Sequence, residues 1–295
     1  MSNSIPNAVS TFVKRDDVTL HVRADAPTDA RTNANANGTS PTTPILYLHS
    51  LGADLRIFDA VVARLPDYHH LRLDLRGHGL SNTPEGAYTI EELAKDALSV
   101  VTAAGYERAV LVGVSVGGMV ALRAALDHPE RVAGLVLSNT SAKFGDEDVW
   151  RARIDTVAEQ GVAALQDGTL LRWFPEEFRH ANDALIDGMG NMFSRTSATG
   201  YSGVCAALGA EDLRSRLKEL RVPVLVVGGS HDLSTPPPVV TELARALPNA
   251  RLEIIDDAGH LPMVDAPARF AELLSGYLNE LELSKPTLDE EDKRG

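Results

Sequence analysis

The spacing of hydrophobic positions along this chain switches repeatedly between two periods, and each switch marks an element. Residues 11–15 and 18–23 alternate apolar with polar and are split by Asp16-Asp17, which predicts a β-hairpin. Short apolar runs at 45–49, 71–75, 109–114, 132–138, 222–228 and 252–255 predict six further strands. Between them, 55–65, 90–104, 117–126, 238–247 and 268–277 predict helices. In 90–104 the residues Ile90, Leu93, Ala94, Ala97, Leu98 and Val101 fall on one face. A β-α-β-α alternation of this kind specifies a mostly parallel sheet covered by helices on both faces.

Two stretches break the rhythm. Residues 24–43, rich in Asn, Ala, Thr, Gly and Pro, read as a flexible surface loop. Residues 142–220 hold both tryptophans and several arginines without a strand-like run, which predicts a helical insertion. The expected organisation is a core of 1–141 and 221–282, a helical lid over 142–220, and a disordered acidic tail over 283–295. Ligands of open α/β sheets bind at the carboxyl ends of the strands, so that edge is where chemistry is expected.

Composition narrows the function classes. Hydrophobic content of 44% with 23% charged residues fits a soluble globular protein with a large core. The net charge of −13 argues against nucleic acid or an anionic membrane as partner. The one cysteine, Cys205, excludes an intrachain disulfide and a cysteine-based zinc site. The first thirty residues contain no apolar signal core and no stretch is long enough to span a bilayer, so a cytoplasmic location is expected. Oligomeric state stays open.

The candidate chemistry centres on Gly113-Val114-Ser115-Val116-Gly117, which joins the apolar run 109–112 to a helix start. A strand turning abruptly into a helix with serine at the apex is a nucleophile elbow, and its strained turn requires nearly side-chain-free flanks. By chance alone the string arises in about one chain of this length in ten. What raises it above chance is company. Gly228-Gly229-Ser230-His231-Asp232, Ala258-Gly259-His260 and His49-Ser50-Leu51-Gly52 each follow a predicted strand. The order Ser115, Asp232, His260 suits a nucleophile, a carboxylate that orients the imidazole, and a base. The backbone N–H groups of Val116 and Leu51 are the expected oxyanion donors. His78, in Asp74-Leu75-Arg76-Gly77-His78-Gly79-Leu80-Ser81, reads as part of a tight loop. His69, His70, His128, His180 and His231 join no constellation. No histidine–carboxylate cluster has metal-ligand spacing, and Ser115 stands where a dinucleotide fingerprint needs glycine. No cofactor or metal is expected.

Gly-Val-Ser-Val-Gly-Gly, Asp-Leu-Arg-Gly-His-Gly-Leu-Ser and Gly-His-Leu-Pro resemble the α/β-hydrolase superfamily over about residues 11–279. The resemblance implies the α/β-hydrolase fold, a mostly parallel eight-stranded sheet with helices on both faces and a helical lid insertion. Segments 49–55, 139–143, 149–157, 172–174 and 200–207 more specifically resemble 3-oxoadipate enol-lactonases of the β-ketoadipate pathway for aromatic catabolism. His49 stands where those lactonases carry a small polar residue. The implied reaction opens a small enol-lactone bearing a carboxylate, through an acyl-enzyme on Ser115. Ser50, Lys143, Trp150, Arg153, Arg172 and Trp173 are then the candidate substrate contacts, arginine and lysine meeting the carboxylate and tryptophan walling the pocket. A carboxylesterase or a cofactor-free perhydrolase/haloperoxidase on the same fold is the alternative enzyme, and a non-catalytic receptor using a retained pocket is the alternative of another class.

Overall fold

Apolar runs too short for helices, and buried on both faces, line up side by side as the centre of one sheet. A computed structural model of the protein describes residues 9–25 and 43–283. The strands are β1 (Val9–Arg15), β2 (Val18–Asp25), β3 (Ile45–Leu48), β4 (His70–Leu73), β5 (Ala109–Val114), β6 (Val132–Ser138), β7 (Val224–Gly229) and β8 (Ala250–Ile255). They form an eight-stranded sheet in the order β1-β2-β4-β3-β5-β6-β7-β8. β1 and β2 run antiparallel to each other, β2 runs antiparallel to β4, and every other pairing is parallel. Every residue of β3, β5 and β7 is buried, as strands covered on both faces require.

Register fixes where the functional edge falls. Leu48 lies beside Gly113, Gly113 beside Leu137, Leu137 beside Val226, and Val226 beside Leu252. The carboxyl ends of β3, β5 and β6 therefore lie within one residue of one another, and β7 and β8 run two residues further in the same direction. The segments that leave them, starting at His49, Ser115, Asn139, Ser230 and Asp256, emerge along one edge.

Helices α1 (Asp59–Val62), α2 (Ile90–Ala103), α3 (Val116–Asp127), α9 (Pro237–Ala246), α10 (Pro262–Asp265) and α11 (Pro267–Leu283) belong to the sheet. Thr89 starts α2 with a capping box: its hydroxyl accepts the N–H of Glu92, whose carboxylate accepts the N–H of Thr89. Between β6 and β7 the chain forms α4 (Glu147–Gln160), α5 (Gln166–Trp173), α6 (Glu176–Ala181), α7 (Asp183–Ser194) and α8 (Ala198–Ala210), with no strand among them. Helix α8 ties this insertion to the sheet. The backbone of Gly200 lies so close to Gly77 that neither position has room for a Cβ, and the Gly203 carbonyl accepts the N–H of Tyr88 at 3.2 Å.

Differences from the sequence expectations are local. The helix expected over 55–65 is a 3₁₀ turn, Leu55–Phe58, followed by the four-residue α1. Asp74 Oδ1 takes the N–H of Leu55 and Asp54 takes that of Arg56, which tightens the first turn, and Pro66 bars extension at the far end. β7 starts at Val224 and not at 222, because Pro223 has no N–H to give the ladder. Most of the loop expected over 24–43 and nearly all of the tail expected over 283–295 lie outside the described residues.

Candidate active site

The turn at Ser115 is built by exclusion. Ser115 sits at φ 57°, ψ −123°, a conformation that costs a non-glycine residue about 1–3 kcal/mol. A Cβ on Gly113 would run into the carbonyl of Gly117, and one on Gly117 into the carbonyl of Leu48. Both glycines are therefore required by contact as well as by chain direction. The turn is locked by bonds on both sides of the serine. Its N–H donates to Ser138 O at 3.0 Å, and its carbonyl accepts the Gly118 N–H at 3.0 Å and the Thr140 hydroxyl at 2.6 Å. α3 begins at Val116, so the N–H of Val116 is one of the first-turn donors with no carbonyl of its own helix behind it.

The acid–base pair comes from two other strand ends. Asp232, after β7, accepts from His260 Nδ1 at 2.9 Å on its Oδ2. The same oxygen accepts the Thr235 hydroxyl at 2.6 Å and the Asn139 amide at 2.7 Å, while Oδ1 accepts the N–H groups of Ser234 and Thr235. Burial alone pushes this carboxyl upward. His260 and the bonds from His260, Thr235 and Asn139 outweigh it and hold Asp232 well below the ordinary carboxylate range. His260 follows β8, and its N–H donates to the Trp173 carbonyl at 2.7 Å. With Nδ1 committed to Asp232, the free ring nitrogen of His260 is Nε2.

Opposite the serine, two histidines hold the loop that follows β3. His49 Nδ1 donates to the Ser50 carbonyl at 2.8 Å, and its Nε2 accepts the N–H of Leu75 at 2.9 Å. His78 Nε2 accepts the N–H of Gly52 at 3.0 Å. Both rings are buried, which lowers their proton affinity; His78 is pushed down to about 3, with His49 adding to the effect of burial. They are neutral clamps that join the loop bearing Leu51 to the loop after β4. Gly52, at φ 78°, has its open side against Phe193 and Tyr201 of the insertion, which leaves no room for a Cβ. The Gly-His-Gly string thus has a structural use beyond a tight path.

Ser115, His260, Ser50, Leu51, Trp150, Arg153, Arg172 and Trp173 all line one cavity of about 420 Å³ beneath the insertion. Eight of the sequence-predicted positions meet there. Arg153 donates from Nε to Tyr201 OH at 2.7 Å and from Nη2 to Thr169 Oγ1 at 3.3 Å, and Arg172 Nη2 reaches the same Thr169 oxygen at 3.2 Å. The groups these guanidiniums bond are hydroxyls, and the cavity lining contains two arginines and no acidic residue. Burial, then the nearby positive charge of Arg153, lower the proton affinity of Arg172. Trp173 stacks beside the His260 ring, 6.5 Å between centroids. Among the predicted substrate contacts Lys143 is the exception. It lines a different cavity, with Asp146 and Arg214, and its ammonium lies 3.7 Å from Asp146, because the segment after β6 turns it away from the triad side.

Thr169, Tyr201, Asn139 and Thr235 are functional neighbours that the sequence reading missed. They are ordinary residue types, brought in by contacts across as many as 120 positions, as in Asn139 to Gly259. Among the described residues no group of histidine, cysteine, aspartate or glutamate is placed to hold a metal, and no helix is long and apolar enough to cross a membrane. Cys205 is buried in α8, and burial pushes its thiol up to about 12.

Comparison with known proteins agrees with this architecture. Residues 43–267 match the model of the α/β-hydrolase fold family. The chain is 32% identical over 250 residues to 3-oxoadipate enol-lactonase 1 of Acinetobacter baylyi, covering 83% of this chain and 92% of that protein. It is 26% identical over 245 residues to the pimeloyl-[acyl-carrier protein] methyl ester esterase of Yersinia enterocolitica, covering 80% and 93%. Among solved structures, the enol-lactonase from Burkholderia xenovorans LB400 superposes with a TM-score of 0.83 at 31% identity, covering 91% of this chain and all of that one. With that family model matched across most of its length and the eight-stranded sheet in place, the chain belongs to the α/β-hydrolase family.

Proposed function

We propose that this hydrolase opens the ring of a small lactone that carries a free carboxylate, with 3-oxoadipate enol-lactone as the substrate that fits best. One observation carries the reading: Ser115 and His260 share a cavity with two arginines and no acid, in a chain whose net charge is −13. Concentrating cation at one point of an acidic protein suits an anionic substrate. Two guanidiniums aimed by Thr169 and Tyr201 suit a planar carboxylate. The likeness to enol-lactonases supports the same substrate class.

The residues then act in sequence. Ser115 Oγ attacks the lactone carbonyl as His260 Nε2 takes its proton, and Asp232 stabilises the imidazolium that forms. The oxyanion is met by the N–H groups of Val116 and Leu51. Collapse breaks the ring C–O bond. The leaving enolate stays attached through the ring carbons, so the whole molecule is held as an acyl ester on Ser115. His260 returns the proton to the enolate, which becomes the ketone. Water, deprotonated by His260, then attacks the acyl carbon and frees the dicarboxylic keto acid and Ser115. An enolate is a good leaving group, so the demand on His260 as an acid is light.

The test is turnover of freshly generated enol-lactone, followed by loss of its absorbance, beside a panel of neutral and anionic p-nitrophenyl esters. Rapid lactone loss supports the reading. Preference for neutral esters with a silent lactone arm favours a carboxylesterase. Absence of turnover together with absence of fluorophosphonate labelling at Ser115 favours a non-catalytic pocket.

A further inference from the structure

Asp265 ends the short helix α10, five residues after His260, and the reaction above gives it no part. Its Oδ2 accepts the N–H of Gly259 at 2.7 Å, while its Oδ1 is sealed from solvent and meets no hydrogen-bond donor. A half-satisfied carboxylate away from water is disfavoured. Burial pushes this carboxyl up to about 7, against the opposing pull of the Gly259 N–H, its own amide and His260.

Gly259 is clamped on every side. Its carbonyl accepts the Asn139 amide at 3.2 Å, the same amide that bonds Asp232. A Cβ at Gly259 would run into the Trp173 carbonyl, which itself accepts the His260 N–H. Asp265, Gly259, Asn139 and Asp232 thus form one run of contacts around the loop that bears the imidazole. The charged groups acting on Asp265 are His260, which favours its ionised form, and Asp232, which opposes it. On the elements packed against α10, Arg56 pairs with Asp54, Asp59 with Arg72, Arg269 with Glu272, and Glu280 with Arg251.

We propose that Asp265 is a positioning residue for His260: its carboxyl anchors the amide just before the imidazole, and its negative charge, once formed, favours the imidazolium generated during catalysis. The proposal rests on His260 being the base. When His260 takes the Ser115 proton it becomes cationic. Asp232 bonds that cation directly, and Asp265 adds a second negative charge at longer range in a poorly solvated setting. No proton passes to Asp265.

Two variants separate anchoring from charge. Asp265→Asn keeps an oxygen for the Gly259 N–H and removes the charge; Asp265→Ala removes both. The measurements are kcat/KM for a p-nitrophenyl ester between about pH 6 and pH 8.5, where ordinary histidines titrate, and the His260 imidazole titration followed by NMR. The expected ratio of wild type to Asp265→Asn is near one at the acid end and rises to about five- to tenfold at the alkaline end. His260 loses its proton at lower pH in Asp265→Asn, and Asp265→Ala is slower still at every pH. A pH-independent ratio with an unmoved His260 titration overturns the charge role, and Asp265→Ala matching Asp265→Asn overturns the anchoring role. If the wild type hydrolyses no ester at all, the functional reading falls, while the NMR titration still decides the role of Asp265.

Discussion

Among the described residues two Ser–His–Asp arrangements can be compared, and only one of them has the surroundings that the proposed reaction needs. In the first, Ser115 shares a cavity with His260, whose Nδ1 donates to Asp232. In the second, the Ser10 hydroxyl contacts His21 Nε2, and His21 Nδ1 lies 2.7 Å from Asp74 Oδ2. Asp74 is as buried as Asp232 and also takes backbone donors, the N–H groups of Leu55 at 2.8 Å and Leu80 at 2.9 Å. What differs is the backbone under the serine. Ser10 lies in β1, paired with Arg23 across a regular antiparallel ladder. Ser115 lies at positive φ where a strand becomes a helix, beside first-turn N–H groups. The side chains of a triad are common furniture. The strained turn, the adjacent donors and the arginine-lined cavity set one of these two apart as the candidate site.

The second arrangement does structural work. His21 N–H donates to the Ser81 hydroxyl, which donates to the Asp74 carbonyl, so the trio joins β2 to the loop after β4. Gly79 is required there because a Cβ would overlap the Asp74 carboxylate. The Asp-Leu-Arg-Gly-His-Gly-Leu-Ser string is therefore a structural knot, tied to the loop that bears Leu51 by His78 on Gly52 and by the Leu75 N–H on His49.

Removing the first serine gives the largest expected effect. Ser115→Ala lowers kcat by about 10⁴-fold or more with an unchanged melting curve, since the methyl fits the same turn. Turnover within tenfold of wild type ends the comparison. Asp232→Asn comes next, with kcat down about 10³- to 10⁴-fold, because the amide no longer fixes the imidazole. It also changes the acid side of stability. A carboxyl held below its unfolded value contributes stability that is full above about pH 4 and is lost as pH falls toward the folded value. Melting temperature in Asp232→Asn therefore falls less between about pH 5 and pH 3 than in wild type, and parallel curves contradict this.

Two smaller effects sharpen what surrounds the serine. His78→Ala removes the acceptor from Gly52 N–H and loosens the oxyanion loop, lowering kcat about 10- to 100-fold with little change in KM. Because burial keeps His78 neutral down to about pH 3, its own titration leaves no mark on the neutral pH profile. Arg172→Ala raises KM about tenfold for carboxylated substrates and leaves neutral esters unaffected. Equal losses on both classes show that Arg172 shapes the cavity and does not read charge.

The elbow was legible in the sequence because its demands are local: two glycines, a serine and a helix start within five residues. Asp232 and His260 were legible because they follow strands in a fixed order. The pair of arginines was legible in type but not in direction, and Lys143 shows the cost, since nothing in its neighbourhood tells which side of an irregular segment it faces. Thr169, Tyr201 and Asp265 left no sequence signal. Tyr201 meets Arg153 across 48 residues, and Thr169 and Asp265 meet their partners only through the way short helices turn beside the site. The Ser10–His21–Asp74 trio was missed for the same reason, being spread over three strand segments with no motif around Ser10.

The smallest expected effect is also the strictest check on the comparison. Ser10→Ala removes the hydroxyl from His21 but leaves His21 on Asp74, so the joint between β2 and the loop after β4 stays closed. It also leaves every contact of Ser115, Asp232 and His260 intact, and the expected kcat/KM equals wild type within twofold. A fluorophosphonate supplied to Ser115→Ala leaves Ser10 unmodified by mass spectrometry. Reaction needs donors for the charge that builds on the phosphoryl oxygen as well as a nearby imidazole, and the regular ladder around Ser10 offers no helix N-terminus to supply them. Labelling of Ser10 at a rate approaching that of Ser115 in the wild type reverses the lesson, because it makes the hydrogen-bonded trio sufficient and the elbow dispensable.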